Sequence, residues 1–219
     1  METISTTTRG STTSNDGTRG PTGHSPVVTD LLQTLQPAIV LFLLLTVVTG
    51  ILYPVAVTII AQLAFSTAAN GSLIRDHDRL VGSELVGQAF TETRYFWGRP
   101  SASAPAYNGL GGSGSNMATT NPALLDAVKA RIERLHKVDP NNPSKIPLDL
   151  VTASASGLDP HISPAAALYQ APRIARERGL TLDQVTTLIG KQTQLPTFGF
   201  LGQPRVHVLK LNLSLDSLK

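Results

Sequence analysis

AIVLFLLLTVVTGILYPVAVTIIAQLAF, residues 38–65, decides the architecture, because these 28 residues contain no charged side chain. As an α-helix rising ~1.5 Å per residue they span about 42 Å, more than the ~30 Å hydrocarbon core of a bilayer. A secretory signal is the main rival, since Ser66-Thr67-Ala68-Ala69 has the small residues of a cleavage region. The apolar core of such signals runs only ~7–15 residues, however. A soluble core helix of this length would need a much larger protein around it. The stretch therefore reads as one uncleaved transmembrane helix, with bounds at residues 37–66.

Inside the span, Pro54 has no N–H and its ring crowds the carbonyl of Gly50, so a kink is expected between them. Thr46, Gly50, Pro54 and Thr58 recur every four residues and form a strip of small or weakly polar groups. Such a strip lets helix backbones approach closely in lipid, and it suits a partner helix. The same residues are also tolerated on a lone anchor. Arg19 lies before the span while Arg75 and Arg79 follow it at similar distance, so the positive-inside rule does not orient the chain.

Working outward, residues 1–36 are dominated as far as about Thr29 by Ser, Thr, Gly and Pro. That composition buries too little apolar surface to offset chain entropy, and it predicts a disordered tail. Residues 67–219 have the mixed composition and punctuation of one small α+β domain. Asn121-Pro122 is an N-cap followed by proline at N1, with Leu125, Val128, Ile132 and Leu135 on one face of a helix to about Lys137. Ser163-Pro164 repeats that start, Pro172 is expected to kink or divide the segment, and Gly179 ends it. Thr181 and Gln184 form a capping box for a helix carrying Leu182, Val185, Leu188 and Ile189, with Gly190 as its stop. Strands are expected at Glu84 to Phe90, at Pro147 to Ala153 and over Arg205 to Leu215, where leucines alternate with Lys210, Asn212 and Ser214.

Eighteen Lys and Arg against fifteen Asp and Glu leave a charge of only +3, without a dense basic block, which argues against nucleic-acid binding. The absence of cysteine excludes disulfides and thiolate chemistry. His24, His77, His136, His161 and His207 are scattered, so no metal site is expected, and Asp76-His77-Asp78 reads as a polar turn. The strongest catalytic candidates lie in TASASGLDPHIS, residues 152–163: Ser154 and Ser156 as nucleophiles, His161 as base and Asp159 as its orienter. This is the basis for an alternative reading as a membrane-anchored hydrolase. The same residues read more simply as a turn whose side chains satisfy nearby N–H groups. Arg173, Arg176 and Arg178 suit a solvated helix end, with Arg173 able to pair with Glu177. The glycine-rich run YNGLGGSGSNMATTNP, residues 107–122, lacks the lysine of a phosphate loop. Gly109, Gly111, Gly112 and Gly114 instead suit positive φ or close backbone approach.

Several longer words stand in a telling order: Gly50-Ile51-Leu52-Tyr53-Pro54, Val81-Gly82-Ser83, Gly87-Gln88, Tyr95-Phe96-Trp97-Gly98-Arg99-Pro100-Ser101 and Tyr107-Asn108. They are followed by Asn121-Pro122, Asp149-Leu150-Val151-Thr152-Ala153-Ser154, Ser156-Gly157-Leu158-Asp159-Pro160-His161-Ile162-Ser163-Pro164-Ala165 and Val208-Leu209-Lys210-Leu211-Asn212-Leu213. With these words, from about Pro37 to Leu215, the chain resembles the C subunit of the Kdp-type potassium-transporting P-type ATPase. Residues 111–116 are a looser form of that family's Ser-Gly-Gly-Ser-Asn word, and the N-terminal tail is longer than expected.

The resemblance implies a single-span subunit of the cell membrane with a cytoplasmic N-terminus and an extracytoplasmic domain. It implies assembly with a channel-like potassium-translocating subunit, an ATP-hydrolysing P-type subunit and a small membrane peptide. ATP, magnesium and potassium would be used by the complex. A contribution to nucleotide affinity is associated with the family, but a domain on the far side of the membrane would not meet ATP, so no cofactor is expected on this chain. The sequence contains neither the Asp-Lys-Thr-Gly phosphorylation word of P-type pumps nor a Thr-Val-Gly-Tyr-Gly filter. A non-catalytic accessory role follows as the expectation.

Overall fold

The computed structural model describes residues 26–218. The chain divides between Ile60 and Ala61 into two compact units. From Pro26 the described N-terminal residues are helical: α1 spans Pro26–Val47, a π-helical turn Val48–Leu52, and α2 Tyr53–Ala64. Gln33–Ala64, with a mean hydropathy of 2.5, is long and apolar enough to cross a membrane. The irregularity expected between Gly50 and Pro54 takes the form of that π turn, in which the Tyr53 N–H donates to the Val48 carbonyl five residues back. Widening the turn just ahead of a residue without an N–H is a known way to accommodate it. The Thr46 and Thr49 hydroxyls donate to the carbonyls of Phe42 and Leu45 at 2.8 and 2.7 Å, so neither needs water.

The tail reading falls mostly on residues 1–25, outside the described residues. Its remainder, residues 26–36, is corrected, because α1 begins at Pro26.

After the last turn of α2, the C-terminal unit continues with the short helix α3 (Ser66–Ala69) and an antiparallel hairpin of β1 (Leu73–Asp76) and β2 (Arg79–Ser83). His77 and Asp78 form its tight turn with φ of 45° and 64°, as the polar Asp76-His77-Asp78 word suggested. Next comes α4 (Pro122–Val138), started by Asn121, whose side chain accepts the Ala123 N–H at 3.0 Å. The order then runs β3 (His161–Ile162), α5 (Pro164–Arg178), α6 (Leu182–Gln192), β4 (Thr193–Gln194), β5 (Arg205–His207) and α7 (Val208–Asp216). The three short strands form an antiparallel sheet in the order β3-β5-β4. Phe96, Ile162, Ala167, Ile174, Val185, Val206 and Leu211 meet in the core. The class is α+β, with helices supplying most of the core.

All three sequence-based strands need correction. Glu84 to Phe90 has no ladder partner, and the strands nearby are β1 and β2 instead. Within Pro147 to Ala153 the regular element is a 3₁₀ turn, Leu148–Leu150. The third segment is strand only to His207 and then becomes α7. The buried residues there are Val208, Leu209, Leu211, Asn212 and Leu215, the i, i+1, i+3, i+4, i+7 set of a helix face. Alternating leucines imitated a strand because that face includes Leu209, Leu211 and Leu215. The helix start was masked too, since its cap is His207, whose Nδ1 accepts the Lys210 N–H at 3.4 Å.

Pro172 does not divide α5, which is continuous from Pro164 to Arg178. Pro172 and Leu168, whose carbonyl loses its N–H partner, are both exposed, so water can satisfy that carbonyl. Gly179 ends the helix at φ 65°, as its position implied. The Thr181–Gln184 capping box is present, whereas Gly190 lies within α6, which runs on to Gln192.

Candidate functional site

The segment holding the hydrolase candidates folds as a turn. Gly157 has φ 68°, and a β-carbon there would lie 2.5 Å from the Ser113 carbonyl oxygen, so glycine is required on two counts. Asp159 Oδ1 accepts the His161 backbone N–H at 3.0 Å and lies 3.2 Å from His161 Nδ1. Its Oδ2 is 3.4 Å from Arg99. Burial would push the Asp159 carboxyl up, but the His161 hydrogen bonds, with Arg99 behind them, hold it below the usual carboxylate range. Ser154 Oγ is 3.5 Å from Ser156 Oγ, and Ser156 Oγ accepts the Leu158 N–H at 3.1 Å. His161 and Asp159 are thus brought together, but the serines bond to each other and to backbone. The structure offers no support for the hydrolase reading.

On its other side the His161 ring meets His207 edge-on, with centroids 5.2 Å apart. His207 Nε2 is 3.3 Å from the Glu84 carbonyl, and with Nδ1 accepting from Lys210 the neutral, Nε2-protonated tautomer fits. Burial, followed by the charge of His161, pushes the His207 imidazole below its ordinary pKa. Lys210 forms an ion pair with Glu84 beside it.

The word Tyr95 to Ser101 is extended chain held by side-chain amides rather than by neighbouring strands. Asn212 Oδ1 accepts the Phe96 N–H at 2.9 Å while its Nδ2 donates to the Phe96 carbonyl at 3.0 Å. Gln170 does the same for Trp97, at 2.8 and 3.1 Å. Arg173 donates to Gln170 Oε1 at 2.8 Å and to the carbonyls of Thr93 and Tyr95. The solvated-face reading holds for Arg176, which is exposed, and is corrected for Arg173, which is 2 % exposed and whose pKa burial lowers to about 10. Glu177 accepts from Thr93 Oγ1 instead of pairing with it. Arg176 pairs with Asp139 at 3.1 Å and Arg178 with Asp216 at 2.7 Å.

Tyr107 locks the next loop. Its hydroxyl donates to the Arg99 carbonyl at 2.6 Å, and its N–H donates to Ser101 Oγ at 2.9 Å. A β-carbon at Gly87 would lie 2.4 Å from the Tyr107 ring, and one at Gly98 2.7 Å from its hydroxyl. Burial pushes the Tyr107 phenol up to about 12. In the glycine-rich run, close approach holds at Gly112 and Gly114 but not at Gly109 or Gly111. β-Carbons at Gly112 and Gly114 would lie 2.8 Å from Leu158 and 2.7 Å from the Ala155 carbonyl oxygen. None of its four glycines has positive φ, a conformation taken instead by Tyr107 and Asn116.

Several of the family-word residues thus act as caps or clamps. Asn108 Oδ1 accepts the Leu110 N–H at 3.1 Å, Ser163 Oγ accepts the Ala166 N–H at 3.0 Å, and the Pro160 carbonyl accepts the Val208 N–H at 3.0 Å. Sequence reasoning overlooked Gln170 and Asn212. A polar residue inside an otherwise apolar helical face was the signal, visible once 208–215 is read as helix. Gly98, Arg99, Pro100 and Ser101, with Tyr107, form one wall of a groove whose other wall is α4 at Arg131, Arg134 and Leu135. Among the described residues no three His, Asp or Glu side chains converge as metal ligands would. Thr46, Gly50, Pro54 and Thr58 lie along α1, the π turn and α2, and all are exposed.

Comparison with known proteins adds an independent line. The family model described as "K+-transporting ATPase, c chain", KdpC, matches residues 35–217. A "Potassium-transporting ATPase KdpC subunit" from Polaromonas naphthalenivorans is 59% identical over 186 residues, covering 84% of this chain and 95% of the relative. One from Methylococcus capsulatus is 56% identical over 190 residues, 86% of this chain and 100% of the relative.

Proposed function

Because the chain belongs to the KdpC family, the c chain of the K+-transporting ATPase, we propose that it is a non-catalytic accessory subunit that assembles and stabilises a potassium-import complex. The observation that carries this reading is the family match over residues 35–217, taken with the long apolar helix Gln33–Ala64. The helix anchors the chain, and its strip of Thr46, Gly50, Pro54 and Thr58 packs on a membrane helix of a partner. The partners are the potassium-translocating subunit, the ATP-hydrolysing subunit and a small membrane peptide. ATP, magnesium and potassium are handled by those partners and not by this chain. Ser154 and Ser156 bond to each other and to backbone while His161 bonds to Asp159, which supports the non-catalytic part of the reading.

The N-terminus is cytoplasmic and the domain from residue 67 onward extracytoplasmic. Because the native sequence has no cysteine, Leu110→Cys at a fully exposed position supplies a unique label site. A membrane-impermeant maleimide should label it in cells whose outer barrier has been opened but whose inner membrane is intact. Labelling only after the inner membrane is permeabilised contradicts the orientation. Affinity capture of the full chain from detergent-solubilised membranes should bring down the three partners. Recovery of the chain alone contradicts the assembly role.

A further inference from the structure

The groove between the Gly98–Ser101 wall and α4 is electrostatically incomplete. Its volume is about 250 Å³, and Arg99, Arg131 and Arg134 line it together with Phe90, Trp97 and Tyr107, with no carboxylate among the lining residues. Three other arginines of the domain have acid partners: Arg94 has Glu92, Arg176 has Asp139 and Arg178 has Asp216. In the groove, Arg131 donates to the Val151 carbonyl at 2.8 Å and has no carboxylate partner. Burial alone lowers its pKa, so its charge is partly desolvated without an anion nearby. Among the described residues Arg134 has no hydrogen bond or ion pair, and its guanidinium lies over the Trp97 ring at 4.4 Å. Arg99 has a distant carboxylate in Asp159 at 3.4 Å, yet its Nε is buried without a hydrogen-bond partner.

Arg131 and Arg134 are three residues apart on α4 and so share a helix face. Two planar guanidinium forks beside an apolar wall suit a planar, bidentate anion on a hydrocarbon stem. A volume of about 250 Å³ admits an amino-acid-sized group and lies below the usual range for larger ligands.

We infer that this groove is a carboxylate-recognition site, in which Arg131 and Arg134 hold the carboxylate and the side chains of Phe90 and Leu150 receive its short apolar stem. The carboxylate comes from an Asp or Glu side chain of a partner subunit or from a small free monocarboxylate. The first source rests on the proposed subunit role; the site itself does not.

Trp97 is the only tryptophan in the chain and lines the groove, so its emission reports on occupancy. The full chain in detergent, titrated with sodium butyrate against sodium chloride at constant ionic strength, should show a saturable change in Trp97 emission. Arg131→Gln and Arg134→Gln should each raise the half-saturation concentration at least about tenfold, reflecting loss of one charge-assisted contact. Among the described residues Arg134 makes no hydrogen bond, so Arg134→Gln removes only its charge and its stacking on Trp97, and far-ultraviolet circular dichroism would verify that the fold is kept. If the double variant also loses capture of the membrane partners, and butyrate releases them from the wild-type chain, the source is a partner carboxylate. If capture is unaffected while butyrate still saturates the wild-type chain, it is a free acid. A non-saturating response, or one that chloride or both variants reproduce, overturns the site. A wild-type chain that captures no partner yet binds butyrate saturably defeats the subunit reading and leaves the groove assignment standing.

Discussion

Asn212 shows how much one side chain can hold. It is 2 % exposed and satisfies both backbone groups of Phe96, so Asn212→Ala leaves a buried N–H and a buried carbonyl unpaired. A loss of about 2–4 kcal/mol is expected from the usual penalty per orphaned group. The thermal midpoint of the full chain in detergent should fall accordingly, and an unchanged midpoint would contradict the clamp. Gly157 and Gly109 form a contrasting pair. Gly157→Ala faces positive φ and the Ser113 carbonyl oxygen, whereas a β-carbon at Gly109 meets nothing within 4 Å. Gly157→Ala should lower stability by roughly 1–3 kcal/mol and Gly109→Ala by less than about 0.5. Equal effects would contradict the packing described. His207 gives the residue scale a pH dependence. Burial first, then His161 and Lys210, lower its pKa below the ordinary 6.5, against the opposing effects of the Glu84 carbonyl and carboxylate. Asp159, across the His161 ring, is the remaining acid in this group. A base whose folded-state pKa is depressed contributes stability that is present above its unfolded pKa, near 6.5, and lost as pH falls toward the folded value. Protonation would also remove the Nδ1 acceptor that caps α7. The thermal midpoint should therefore drop between pH 7.5 and 5.5, and His207→Asn, which can still cap, should flatten that drop. A midpoint that holds or rises on acidification would contradict the assignment.

At the scale of elements, legibility followed the locality of the signal. The starts at Asn121-Pro122 and Ser163-Pro164 and the Thr181–Gln184 box were readable because each cap is completed within a few residues. The sheet was not, since β3, β4 and β5 are only two or three residues long. Their pairing depends on partners far apart in sequence, and no periodicity can emerge over so short a run. The extended chain at Phe96 and Trp97 gains its bonds from helix side chains, which leaves no strand pattern to read. α7 can be tested directly. A strand would place Leu211 and Leu213 on one face, whereas the helix buries Leu211 completely and leaves Leu213 partly exposed. Leu211→Ala should cost about 2–5 kcal/mol and Leu213→Ala distinctly less. Equal losses in chemical denaturation would favour the strand.

At the scale of the molecule, a long apolar helix able to cross a membrane was legible because an uncharged run of this length has few physical alternatives. The family words were equally legible, but the reason for them was not. Gly87 and Gly98 flank Tyr107, and Gly157 abuts the Ser113 carbonyl oxygen, contacts that exist only in three dimensions. The apparent catalytic cluster around Ser154 and His161 dissolved for the same reason, since proximity along the chain did not become hydrogen bonding between serine and imidazole. What remains is an α+β domain behind a long apolar helix, with family words that serve caps, clamps and a groove wall. The most direct test is potassium-stimulated ATP hydrolysis by the purified complex prepared with and without this chain. The account predicts that its omission abolishes stable assembly and the potassium-stimulated rate together, with both restored on co-expression. An intact complex with full potassium-stimulated activity in its absence would contradict it.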